Sequence, residues 1–448
     1  MPDDRKQKLI QLGSDSLADA LLDIAKHNDL IDDIINRMIA TPKENISQYK
    51  KKLSSLKRSN KFIGWDQSSA FAEELSLLLE DLEAGSPDPC TGVELVAAFF
   101  EADDSVYGRC DDSNGSTGDV YVIEAKELFV KYASSCADKE KITSILMKLC
   151  QNDDYGVRSS LMDSVGLFLD EPMIRKMIDE LQILAAEAQK DYTKNSYLYI
   201  IGSFAKQIKD AKLFENTRLA IHGESPPTII EIAQVYLECD EVETSYAWIQ
   251  KVPEGRSRLR PEYTKTLTEI YTRQGDIESL SALLRKRLRT LPCMDYLQEL
   301  LDAIGEENRE AVITEEIEYM FNETSLQQSN LSFLLDCKKY DVAETYLFAS
   351  GDQLDGSRYE TLLPIGKTFE MQKSFLAASL VYRSLLDSIL GKGYTKSYPY
   401  GVRYLKKLDM YAPLIQDWKT FPDHSAYKET LVQNHGLKRS FWGQYATK

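Results

Sequence analysis

Apolar residues recur along this chain at the three- and four-residue spacing of amphipathic helices, in short runs separated by polar turns. Leu17, Leu21 and Ile24 form one stripe behind Ser16, a candidate N-cap, and Ile31, Ile34, Ile35, Met38 and Ile39 form the next. Pro42 separates this pair from a basic helix predicted over Lys43–Arg58. Trp65 is expected to open a long helix carrying Phe71, Leu75, Leu78, Leu79 and Leu82, stopped by Gly85-Ser-Pro-Asp-Pro89. Helices follow over Val93–Glu101, Val120–Cys136 and Lys139–Cys150. Val157, Leu161, Val165 and Phe168 line one further predicted helix. Met173, Met177, Leu181, Leu184 and Ala188 line another that starts at Pro172, where a missing N–H costs nothing. No segment shows the period-2 alternation of a half-buried strand.

From Ile229 the pattern repeats. Tyr236-LECDEVETSYAWI aligns with Tyr271-TRQGDIESLSALL at a shift of 271 − 236 = 35, and Tyr340-DVAETYL with Ser374-FLAASLV at 374 − 340 = 34. A helix ends at a polar turn and the next begins with a small residue expected at the crossing: Ala247, Ala282, Ala343 or Ala377. That layout and period are those of a tetratricopeptide unit. The fold expected is all-α, an α-solenoid of helical hairpins, HEAT-like in the N-terminal half and tetratricopeptide-like in the C-terminal half. Three regions are expected: 1–190, containing a polar loop at 109–119; 191–395, the repeats; and 396–448, capping helices with a His/Trp-rich tail. The pairing of Asp352–Pro364 stays unassigned.

Bulk properties narrow the function classes. With 448 residues the chain is long for one compact globule, but a solenoid escapes that limit because each repeat touches only its neighbours. The net charge of −17 argues against a general nucleic-acid binder, which needs clustered Lys and Arg. Ser68–Glu127 holds 15 acids against 2 bases, whereas Lys396–Lys448 holds 9 bases against 4 acids. Such runs read as solvated helix faces, or as a patch that docks a partner of opposite charge. The seven cysteines contain no CxxC pair and read as thiols filling helix interiors in a reducing compartment. With no signal peptide and no apolar run near the ~18 residues of a membrane span, a cytoplasmic location is expected and a membrane is not.

Three segments suggest chemistry. Asp111-Asp-Ser-Asn-Gly-Ser-Thr-Gly-Asp119 looks like a calcium loop, yet counting from Asp111 puts Ser116 where an EF-hand needs Gly and Val122 where it needs Glu. A capped loop entering the next helix accounts for it better. Gly391-Lys-Gly-Tyr-Thr-Lys-Ser397 lacks the P-loop glycines, whose places hold Thr395 and Leu390. His424 and His435 lie eleven residues apart, about three helical turns, and could share a face with Tyr427 and Leu431. Two histidines without a third ligand do not make a zinc site, and buried structural histidines are the default.

Four segments together resemble an uncharacterised bacterial helical family, a domain of unknown function related to regions that accompany SWIM-type zinc fingers. They are Phe62-Ile-Gly-Trp65, Asp111–Val120, Asp153-Asp-Tyr-Gly-Val-Arg158, and the C-terminal Trp418…His424-x-x-Tyr427-x-x-x-Leu431-x-x-x-His435-x-x-Lys438-x-x-Phe441-Trp442. The resemblance implies an all-helical repeat protein with no activity to transfer. The cysteine–histidine cluster of the zinc finger is absent, so zinc and DNA binding do not carry over. Where family members often carry histidine near Tyr398–Leu405, this chain has Tyr398-Pro-Tyr-Gly401.

The function expected is a non-enzymatic scaffold or adaptor that binds an unknown protein or peptide, with no cofactor, no metal and no nucleic acid. The alternative is an enzyme or small-ligand binder of unknown class whose site combines loop 111–119 with tail 424–442. The candidate binding residues are Asp111, Asp112, Asp119, Arg158, Arg403, His424, Tyr427, His435, Lys438 and Trp442.

Overall fold

The computed structural model describes residues 2–446 apart from 152, 154, 256–259, 324–325 and 350–352. Asp352 and Lys448 therefore lie outside the described residues. Helix succeeds helix throughout, and among the described residues the only β-type pairing is one isolated bridge between Ile63 and Cys110. The chain divides into two compact units, Met1–Tyr263 and Thr264–Lys448. Within each, helices pack mainly on their chain neighbours: Glu171–Glu187 on Asp191–Gln207 and Pro226–Glu238 on Val242–Ile249 in the first, Tyr359–Met371 on Phe375–Lys392 in the second.

One turn recurs at the hairpin bends. Lys209, Asp240, Gly275, Lys338 and Lys373 each adopt φ between 57° and 69°. At each, that residue's N–H bonds the carbonyl three back, and the next residue's N–H bonds the carbonyl five back: Asp210 to Ala205, Glu241 to Tyr236, Asp276 to Tyr271, Lys339 to Leu334 and Ser374 to Phe369. These are Schellman turns, which satisfy the last orphan carbonyls of a helix while reversing the chain. Asp210 and Asp276 then cap the following helices through Leu213 N and Ser279 N. Four of the five bends use a non-glycine residue at positive φ, so the sequence lacks the glycine that would announce them.

The turns correct two expectations. Asp240 to Gly275 and Lys338 to Lys373 are both 35 residues, so Tyr340 matches Phe375 rather than Ser374. Ala247 and Ala282 are exposed and do not lie at a crossing. The buried position is five residues beyond the positive φ, occupied by Phe214, Ser245, Leu280, Ala343 and Ala378 in turn. Ser245 can stand there because its hydroxyl donates to the Ala233 carbonyl at 2.6 Å.

Local geometry differs elsewhere too. The first amphipathic helix runs Ser14–Ala25 from Gly13 with no side-chain cap, so Ser16 is not its N-cap. Leu21, Ile24, Met38 and Ile39 are exposed rather than inward. Trp65 is exposed and precedes its helix: Ser68 donates to the Trp65 carbonyl and the helix spans Ser68–Ala84. Val120–Ala125 is π-helical before Lys126–Ser135 becomes α-helical. Val157, Leu161, Val165 and Phe168 are all buried, but not on one helix: Leu161 is on a short helix Ser159–Met162, Val165 on a 3-10 turn Val165–Leu167, and Val157 and Phe168 flank them. Gln207 holds that break open, accepting from Gly166 N and donating to the Met162 carbonyl.

The first unit's core gathers Tyr49, Phe99, Phe100, Tyr121, Phe129 and Phe204. Cys90 and Cys136 are joined by a disulfide between the helix Pro89–Phe100 and the end of Lys126–Ser135. The reading of all seven cysteines as thiols is thus corrected. Both residues lie at helix ends, where the chain returns to within bonding distance across a sequence separation of 46. The second unit's core centres on Phe333, Phe369, Tyr382, Leu386, Leu405 and Phe441.

Candidate functional site

The helix Phe375–Lys392 is apolar almost throughout, and between its ends it carries only two charged residues, Arg383 and Asp387. One helical turn separates them. Arg383 is buried, 6% exposed, and Asp387 lines the same cavity of about 500 Å3. Leu354, Leu380, Phe421 and Pro422 supply apolar wall, and Asp355, Ser357, Ser384 and Ser388 supply polar atoms. The near wall is the loop before helix Tyr359–Met371, drawn against the Arg383 helix where Ser384 donates to the Leu354 carbonyl at 2.9 Å. Gly356 permits this approach, because a Cβ there would fall on the Ser384 carbonyl oxygen.

The guanidinium is held on one side only. Its Nη1 donates to the Pro422 carbonyl at 2.7 Å, and the Trp418 and Tyr427 rings lie over it at 4.7 and 4.5 Å. Its Nε and Nη2 have no hydrogen-bond partner among the described residues. Burial pushes the Arg383 pKa down to about 10, against the pull of Tyr427, Asp387 and Asp423. Burial likewise raises the Asp387 carboxyl, opposed by the Tyr427 hydrogen bond and the Arg383 charge. Burial and the nearby Asp387 raise the Tyr427 hydroxyl, which stays protonated and donates to Asp387 Oδ1 at 2.7 Å. A desolvated cation with two unpaired donors is costly to bury, and it binds an anion strongly.

Of the sequence candidates, Tyr427 lines this cavity. His424 is on the same helix, His424–His435, one turn earlier, and its Nε2 pairs with Asp409 at 2.7 Å. Asp409 also takes Lys428 and the Tyr445 hydroxyl, which closes a polar cluster between the last helices. His435 plays a different part: its carbonyl accepts from Trp442 Nε1 at 2.9 Å, and burial and the charge of Lys438 lower its ring pKa. Arg403 is exposed, over Tyr400 of its own helix.

The remaining candidates lie in the first unit. Asp112 accepts from Thr117 N and Gly118 N, both at 2.8 Å, and Asp111 accepts from Ser113, so these carboxylates hold the turn that starts the helix Ser116–Asp119. Asp119 is exposed. Arg158 is buried and forks onto Asp103, Nε to Oδ2 at 2.8 Å and Nη2 to Oδ1 at 2.6 Å. A second cavity, about 430 Å3, is lined by Arg218, whose Nε pairs with Glu231, leaving one buried donor, Nη1, without a partner among the described residues against two on Arg383. No group of three or more His, Cys, Asp or Glu among the described residues is arranged to hold a metal ion.

Sequence reading missed Arg383 and Asp387. The available signal was two opposite charges, one turn apart, in an otherwise apolar helix; Arg383 is the buried one, which is an expensive placement, and Asp387 stays exposed.

Fold and site together define an all-helical protein of packed neighbouring helices whose second unit encloses a buried, half-paired arginine. The chain belongs to the family of unknown function DUF6880, which matches it over residues 5–222 and 210–444. Comparison with curated proteins and with solved structures gave no match. No helix among the described residues is long and apolar enough to cross a membrane.

Proposed function

We propose that this protein is a binding scaffold of helical hairpins, HEAT-like at first and tetratricopeptide-like later, that engages a protein or peptide partner and anchors an acidic group of it beside Arg383. The observation that carries the reading is the pair of unpartnered, buried donors on that guanidinium. A buried guanidinium whose charge feels Asp387 and Asp423 but whose Nε and Nη2 donate to no described group is the kind of local conflict that function tolerates and stability alone does not. The hairpin turns support the scaffold half of the proposal, since stacked hairpins present extended surface. Kinship with regions accompanying SWIM-type zinc fingers and a bacterial origin belong to the same proposal and rest on the four sequence segments alone; a cytoplasmic setting is supported by the lack of a membrane-spanning helix among the described residues and opposed by the Cys90–Cys136 disulfide.

Titration calorimetry with peptides rich in Asp and Glu tests it. Binding by the full chain that disappears in Arg383→Met, at an unchanged melting temperature, supports the reading. Equal binding by the variant, or none by the parent, refutes it.

A further inference from the structure

Resting on that reading of the site, we infer that the group held by Arg383 is a singly charged carboxylate carried on an apolar body, and not a phosphate. The chain itself shows what this guanidinium edge takes. Arg158 presents Nε and Nη2 to the two oxygens of Asp103, and Arg289 presents Nε and Nη2 to Glu316 at 2.8 and 3.0 Å. In Arg383 the same two nitrogens are the unpartnered ones, while Nη1 is fixed by the Pro422 carbonyl. A planar two-oxygen acceptor matches that edge, and each bond of the fork is charge-assisted.

Charge selects further. Asp355 and Asp387 also line the cavity, but Asp355 pairs with Arg358 at 3.7 Å and Asp387 accepts from the Tyr427 hydroxyl, so Arg383 offers one positive charge to one negative charge and no second cation lines the cavity for a dianion. A second negative charge on the ligand would face these two carboxyls without a second cation to meet it. The wall of Leu354, Leu380, Phe421 and Pro422 accepts an aliphatic body next to the carboxylate. The Trp418 ring lies over the guanidinium from a segment outside any helix, so indole fluorescence reports occupation of the fork.

The same chemistry comes from two sources, a free fatty-type carboxylate or the C-terminus of a peptide ending in an apolar residue. The full chain is titrated with hexanoate, hexanamide, hexyl phosphate and a Leu-terminated peptide with free or amidated C-terminus. Hexanoate or the free-terminus peptide binds, its amide counterpart binds at least about tenfold more weakly, and hexyl phosphate binds more weakly than hexanoate. Arg383→Lys, which keeps the charge but not the fork, loses about tenfold for the carboxylate. Hexanoate binding without peptide binding upholds the carboxylate and overturns the peptide-partner reading. Hexyl phosphate binding as tightly as hexanoate, or amides binding as tightly as acids, overturns the carboxylate inference and leaves an anion site standing. Absence of binding by every probe overturns both. The amide comparison uses the unaltered protein, so it decides the question even where Arg383→Lys does not fold.

Discussion

Replacing Asp103 by Ala separates a structural arginine from a binding one. Arg158 is 4% exposed and Asp103 is fully buried, and the two are joined by both oxygens at 2.6–2.8 Å. Among the described residues the guanidinium's one other hydrogen bond is to the Leu149 carbonyl at 3.5 Å, and the charges of Asp153 and Asp104 act on it more weakly than that of Asp103. Removing the carboxylate therefore strands a buried cation. Breaking a buried pair from one side costs about 3–5 kcal/mol, most of it the burden of the uncompensated charge. The double replacement Asp103→Leu with Arg158→Met removes both charges and restores most of that loss by the same logic. Urea denaturation gives the magnitude, and hydrogen exchange locates it in the helix Asp103–Tyr107 and in the segment ending at Cys150. A loss under about 1 kcal/mol for Asp103→Ala, or a double variant no better than the single one, would refute the reasoning. Loss of partner binding at unchanged stability would move Arg158 back among the binding residues.

Three further outcomes follow from the same geometry. Replacing Cys90 and Cys136 by Ser lowers stability by about 4 kcal/mol in the loop-entropy picture for 46 residues, read as a lower Tm by calorimetry, and reduction of the parent protein reproduces the loss. Burial alone would raise the Glu215 carboxyl, but bonds from Lys212, Tyr236 and Trp248 outweigh it, and its pKa lies below the usual 4.5. Its contribution to stability is thus complete above the unfolded value and is lost as the pH falls through the lower folded value; Glu215→Gln flattens that part of an acid titration followed by Trp248 fluorescence. Gly356→Ala drives a methyl onto the Ser384 carbonyl, displaces the loop, costs about 1–3 kcal/mol by thermal melting, and abolishes hexanoate binding.

Much of the architecture was legible along the chain because helix periodicity is local. Stripes such as Phe71, Leu75, Leu78, Leu79 and Leu82 are set by 3.6 residues per turn, and their burial is what the spacing demands. The 35-residue interval from Tyr236 to Tyr271 likewise survives in the structure as two equivalent turns. The basic helix over Lys43–Arg58 forms with its capping box at Thr41 and Glu44, from residues adjacent in sequence.

What periodicity could not carry is which polar groups meet. A non-glycine bend such as Lys338 or Lys373 is stabilised by carbonyls that only a completed helix end offers, so its residue type leaves little trace. The joining of Cys90 to Cys136, the fork of Arg158 on Asp103, and the single-sided hold on Arg383 all bring together groups tens of residues apart. The chain alone thus determined that amphipathic helices would succeed one another and where many of them turn. Tertiary packing decided which charges were paired and which was left with open donors, because desolvation acts on a group only once distant segments have closed around it.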